Sequence, residues 1–134
     1  MANEAVPIEA PKTIKRVTVA EATPIPQYTI LKLTDPNTGA ASSSTDTFGG
    51  IATEEFTGGE GLTNVSTARD GVFDLRAGGG TTITAGELVK LSGANIIEGD
   101  VVEADIIAGK VVGKARESVT IGTAETIRVE VGRV

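Results

Sequence analysis

From residue 28 onward, apolar and polar positions alternate with a period of two. The stretches "YTILKL" (28–33), "GVFDL" (71–75), "ELVKL" (87–91), "KVVGKA" (110–115), "SVTI" (118–121) and "TIRVEV" (126–131) are short and rich in β-branched residues. They are separated by Gly, Asn, Asp or Ser. Such a period sends alternate side chains to opposite faces of a sheet, and turn residues mark where strands end. No window carries the 3.6-residue period of a helix. The pattern predicts an all-β chain with at least six strands after residue 25, and with Val72, Leu88, Val112, Ile127 and Val129 facing inward. "DPNTGAASSSTDTFGG" (35–50) reads as a long polar loop.

All five prolines fall within the first 36 residues. Proline lacks a backbone donor and biases its predecessor to extended geometry, so such a segment rarely joins a central strand. The expected organisation is an extended arm over residues 1–24 and a β domain over 25–134. The arm holds one strand-like run, "RVTVA" (16–20), and a basic cluster of Lys12, Lys15 and Arg16. A solvated tail and a target-binding arm both fit this composition.

Two weaker periodicities run through the chain. "YTILKL" followed by "FGGIATEEFTGGEGLTNVSTARDGVF" parallels "GELVKL" followed by "AGKVVGKARESVTIGTAETIRVEV". Either two similar β units close on each other as one small barrel or sandwich, or the likeness is chance between segments of biased composition. Apolar pairs also recur at Ile96-Ile97, Val101-Val102, Ile106-Ile107 and Val111-Val112. Hairpins turning at "EGD" (98–100) and "AG" (108–109) account for that spacing better than a solenoid.

Composition narrows the function classes. Aromatic residues are 3% of the chain, against 40% apolar residues, so the core is built from small aliphatics. Rings bury roughly 150–250 Å² each; a core short of them is lean, and association is the expected supplement. There is no Cys and no His, which removes disulfides and the usual zinc sites. A net charge of −6 argues against nucleic-acid binding. No apolar run approaches the ~18 residues of a membrane span. The start, "MANEAVPIEAPK", has no apolar signal region, so synthesis in a cytoplasm is expected.

Residues with chemistry are few. Gly78-Gly79-Gly80 and "GGEG" (58–61) lack the Lys and helix of a phosphate cradle and read as turns. Asp35, Asn37, Gly39 and Asp46 have calcium-loop spacing without the flanking helices. Glu54-Glu55 and the group Glu98, Asp100, Glu103 and Asp105 lack the sugar-stacking aromatics of a glycosidase cleft. Asn64-Val65-Ser66 is a formal sequon. Lys110 and Lys114 lie near a strand turn, as a lipoyl or biotinyl lysine would, without the flanking residues of those modules. Without His no conventional triad forms. The expectation is a non-enzyme with no cofactor and no metal.

One pattern in the carboxy-terminal half does carry meaning. "GVFDL", "ITAGELVKL" and "GKVVGKARESVTIGTAETIRVEV" together resemble the capsid decoration, or cement, proteins of tailed phages. The matching positions are Gly71, Val72, Phe73 and Leu75; Ile83, Gly86 and Val89; Gly109, Gly113 and Ala115; and Gly122, Val129 and Val131. The resemblance spans residues 25–134, with Gly71, Gly86, Gly109, Gly113 and Gly122 as its turns. The long loop at 35–50, the insert at 95–108 and the proline-rich arm depart from it.

The resemblance implies a small β-barrel-like or sandwich (β-tulip-like) domain that forms homotrimers on the exterior of an icosahedral head. There it ties neighbouring major capsid subunits together and carries no catalytic residue. Its arm would lie across the capsid, with Lys12, Lys15 and Arg16 meeting carboxylates and Val17 and Val19 adding a strand to an exposed sheet edge. The alternative is a non-catalytic binding or carrier module, such as a fibre base or hammerhead-like domain of a larger complex.

Overall fold

The computed structural model describes residues 4–35, 37–44, 46–59, 61, 63–78, 82–120 and 125–132. Among these residues, eleven strands and one short helix follow one another as β1 (Val6–Glu9), β2 (Ile14–Thr18), β3 (Ile30–Asp35), β4 (Thr38–Ala41), β5 (Phe48–Ala52), β6 (Asn64–Ala68), β7 (Gly71–Ala77), β8 (Leu88–Gly93), β9 (Ile96–Glu98), α1 (Glu103–Ile107), β10 (Val111–Ala115) and β11 (Glu125–Val131). The chain is all-β, as its period-two pattern predicts.

The strands close into two small barrels in tandem. β2, β4, β3, β5 and β6 form the first, and β6 returns to β2. β7, β11, β10, β8 and β9 form the second, and β9 returns to β7. β1 is an additional strand, antiparallel to the start of β7. Closure removes most of the unpaired edges that an open sheet of this size would expose.

The two barrels have the same wiring. In each, the first and third strands pair in parallel, Thr18 with Thr38 and Arg76 with Ile96. All other pairings are antiparallel. The backbone repeats in detail. Isolated bridges join Ile25 to Phe56 and Ile83 to Val119. Tyr28 N–H donates to the Ala52 carbonyl at 2.7 Å, and Gly86 N–H donates to the Ala115 carbonyl at the same distance. Asn37 and Asn95 occupy equivalent left-handed turns, with φ of 58° and 59°. Asn tolerates that region because its short polar side chain bonds locally. The repeat is therefore real, but each unit closes on itself rather than on its partner.

Both faces of β3 and β5 are covered, which explains why their apolar residues run together. Leu31 and Ala52 face the interior of the first barrel with Val19, Ile25, Phe56 and Val65. Their neighbours Ile30 and Ile51 face the other way and join Phe73, Leu75, Val112, Ile127 and Val129 in the larger core of the second barrel. The Tyr28 ring packs edge-on against Phe73, with centroids 6.5 Å apart. A lean core is thus supplemented within the chain, by one barrel packing on the other.

Four expectations need correction. Residues 14–18 are not part of a detached arm, because β2 is a wall of the first barrel, paired along its length with β6. Leu88 is only half-buried, since Val89 and Leu91 form the inward face of β8. The polar stretch 35–50 contains β4 and begins β5, so its Gly and Ala residues pack as strands. The residues between β9 and β10 form α1 rather than hairpin turns. One helical turn is too short to impose a 3.6-residue period on the sequence.

Candidate functional site

The residues that suggested chemistry are dispersed into structural roles. Asp35 and Gly39 lie in β3 and β4, while Asp46 closes the β4–β5 turn by accepting the N–H groups of Ser43 and Ser44, each at 3.0 Å. Glu54 accepts the Ser66 N–H at 3.2 Å and lies 3.6 Å from Arg16. Lys114 sits inside β10, paired with Leu88 and Glu130 on its two sides and away from a hairpin tip. Gly79 and Gly80 lie outside the described residues. Among the described residues no three metal-ligating side chains come together, and no helix is long and apolar enough to cross a membrane.

The glycines of the pattern hold backbone geometry. Gly71, Gly86 and Gly109 have φ of 105°, 97° and 74°. Gly113 is extended, and a Cβ there would collide with the Glu130 carbonyl across the β10–β11 pair. Gly122 lies outside the described residues.

The basic segment is split by the fold. Val17 and Val19 are buried in the first barrel and are not free to join a partner's sheet. The Arg16 guanidinium is turned along β6, donating to Asn64 Oδ1 at 2.8 Å and to Ser66 Oγ at 2.9 Å. Lys12 and Lys15 are exposed. The connector between β1 and β2 is pinned by Asp70, whose Oδ1 accepts the Lys12 and Thr13 N–H groups at 2.7 and 3.0 Å. Those bonds, Thr13 foremost, hold the Asp70 carboxyl below the ordinary range against partial burial. Beside the connector is a cleft of about 480 Å³ walled by Glu9, Lys12, Asp70, Arg116 and Glu130. Its charges are of both signs, and Arg116 is already bonded to Glu130 at 2.7 Å.

Among the described residues, the large exposed apolar side chains fall in two places. Val6, Ile8 and Ile14 are exposed in the N-terminal segment. Val102, Ile106 and Ile107 are exposed around α1, with Ile107 at 80%. The helix is held by a polar anchor rather than by an apolar face. Asp105, on its inner side, accepts the Val102 N–H at 3.1 Å and the Lys90 ammonium at 3.0 Å. The Val102 bond, then Lys90, keeps the Asp105 carboxyl below its ordinary value. Lys90 also lies 4.0 Å from Glu98. The anchor turns the apolar residues outward.

The α1 insert occupies the position that the β4–β5 loop holds in the first barrel. The two meet, with Phe48 N–H donating to the Gly109 carbonyl at 3.0 Å and Thr47 Oγ1 to the Ala108 carbonyl at 3.3 Å. Sequence reasoning took the insert's apolar pairs for strands and missed the tip. The available signal was Asp105 three residues after Val102, the reach-back half of a capping box. Comparison with protein-family models and with curated proteins finds no match for this chain.

Proposed function

We propose that this chain is a structural virion protein that binds the outer surface of an icosahedral phage head and cements neighbouring major capsid subunits. The observation that carries the reading is the α1 tip, where Val102, Ile106 and Ile107 are presented to solvent on a helix fixed by Lys90 and Asp105. Exposed apolar residues grouped on a rigid projection favour contact with another macromolecule. The resemblance adds support. Phe73, Leu75, Ile83, Val89, Ala115, Val129 and Val131 all lie in the core of the second barrel. Gly71 opens its first strand.

On this reading the chain acts as a clamp, assembling as a homotrimer on the capsid exterior. Individually weak contacts add through the high effective concentration of linked sites. The test is stoichiometric addition of purified protein to heads that lack it. Wild-type chain saturates the heads, whereas Ile107→Asp, at a solvent-facing position, keeps its fold by circular dichroism and fails to add. Wild-type protein that leaves such heads bare refutes the proposal, and so does an Ile107→Asp variant that adds normally.

A further inference from the structure

The matched wiring of the two barrels exposes a place where they differ. β7 is flanked by β11 on one edge, while its other edge is shared by β9 at Arg76 and Ala77 and by β1 at Val72–Asp74. The equivalent strand β2 is flanked by β6 on one edge, and β4 reaches its other edge only at Thr18. The offset that relates Asn37 to Asn95 relates Ile14 to Val72 and Arg16 to Asp74. The slot that β1 fills on the second barrel therefore has a counterpart on the first, along Ile14–Arg16, with no strand beside it among the described residues.

The hydrogen-bond parity of β2 shows that this edge is usable. Arg69 N–H donates to the Thr13 carbonyl at 3.1 Å, and Val19 N–H donates to the Thr63 carbonyl at 2.8 Å. The odd-numbered residues of β2 therefore face β6, and the even-numbered ones face away. Thr18 confirms the parity, donating its N–H to the Asn37 carbonyl at 2.6 Å. The peptide groups of Ile14 and Arg16 point along the open edge. Burial agrees: Val72, paired with Glu9 of β1, is 3% exposed, whereas Ile14 is 51% exposed. No proline falls between Thr13 and Thr23 to block the edge.

We infer that the edge of β2 at Ile14–Arg16 is an acceptor for one extended peptide strand of alternating apolar and acidic residues, donated by another protein. The apolar part of that chemistry follows from Ile14, which is exposed beside the open edge where its counterpart Val72 is covered. The acidic preference follows from Lys15, exposed on β2, and Lys12 in the adjoining connector, whereas the Arg16 guanidinium is turned to β6 and Glu54. The neighbouring acids are engaged, Glu54 with Arg16 and Ser66, and Asp70 with the connector. The same cations discourage pairing of this edge with its own copy in a second molecule. The segment expected to donate a strand is thus a strand that accepts one. The inference does not require the virion reading; on that reading the donor is a capsid subunit.

The probe is a synthetic peptide of residues 4–10, Glu-Ala-Val-Pro-Ile-Glu-Ala, added to the whole chain and followed by amide shifts and hydrogen exchange. Binding protects the Ile14 and Arg16 amides. Replacing both peptide glutamates by lysine weakens binding about tenfold, the effect of roughly one lost charge-assisted bond. Ile14→Pro removes only an outward-facing N–H and abolishes binding in a folded chain, while Lys15→Glu weakens it. The inference is overturned if the peptide perturbs Val72 and Asp74 instead, which would mean exchange with β1. Absence of perturbation at millimolar peptide also overturns it. Protection of Ile14 and Arg16 by concentration-dependent self-association without peptide would assign the slot to a second copy and overturn the partner assignment. Failure of the chain to bind heads leaves these outcomes unchanged.

Discussion

Asn95 is the residue whose replacement tests the packing of one barrel on the other. It sits in the β8–β9 turn of the second barrel, fully buried, with φ of 59°. Its Oδ1 accepts the N–H of Ile30, a buried residue in β3 of the first barrel, at 2.8 Å. Its own N–H donates to Ser42 Oγ at 3.1 Å, and Ser42 N–H donates to the Ile30 carbonyl at 2.9 Å. Asn95→Ala removes the side-chain acceptor and strands a fully buried donor, at a cost of about 1–3 kcal/mol. It also places a β-carbon without local bonding in the left-handed region, costing about 1 kcal/mol more. The total is about 2–4 kcal/mol.

The repeat supplies the control. Asn37 holds the equivalent turn with φ of 58° but is exposed. Asn37→Ala therefore bears only the left-handed cost of about 1 kcal/mol. Asn95→Gly relieves the backbone while leaving Ile30 unpaired, and falls between the other two. Urea unfolding at fixed pH reads each midpoint, with an unchanged slope certifying that the unfolding transition is the same. If Asn95→Ala and Asn37→Ala agree to within about 0.5 kcal/mol, the buried bond between the barrels carries no stability and the reasoning fails.

Other expected outcomes follow from single features. Gly113→Ala drives a methyl group into the Glu130 carbonyl across two paired strands and costs about 3 kcal/mol or more by chemical denaturation. The Asp105 carboxyl is held below its usual 3.8, so its anchoring of α1 is complete above that value and is lost as pH falls through the lower folded value. The protection factors of the α1 amides fall across that acid window, and Asp105→Asn lowers them already at neutral pH. Deleting residues 2–9 removes β1 and the buried Ala5 and leaves both barrels closed, whereas deleting 2–20 removes β2 with buried Val17 and Val19 and unfolds the first barrel. The loss of native one-dimensional NMR dispersion separates the two truncations.

Local pattern determined much of this protein without tertiary information. The alternation in "GVFDL" and "TIRVEV" specified β7 and β11, because a strand with one face toward a core must repeat every second residue. Gly71, Gly86 and Gly109 were legible as turns because their backbone angles suit glycine. The likeness of "YTILKL" to "GELVKL" was visible too, since equivalent strands need similar side chains. What the alternation does not encode is which strands meet. Closure of each repeat on itself depends on pairings such as Arg76 with Ile96 and Val17 with Val65, where register is set by contacts far apart in sequence. The same limit hid the place of β2. The prolines around it and its own charges read as an arm, and only the packing of Val17 and Val19 inside a barrel made it a wall. The outward presentation of the α1 tip and the open edge at Ile14–Arg16 lie beyond sequence reasoning for a related reason. Exposure belongs to the assembled surface, and an apolar residue becomes a projection only when its neighbours' partners have been chosen.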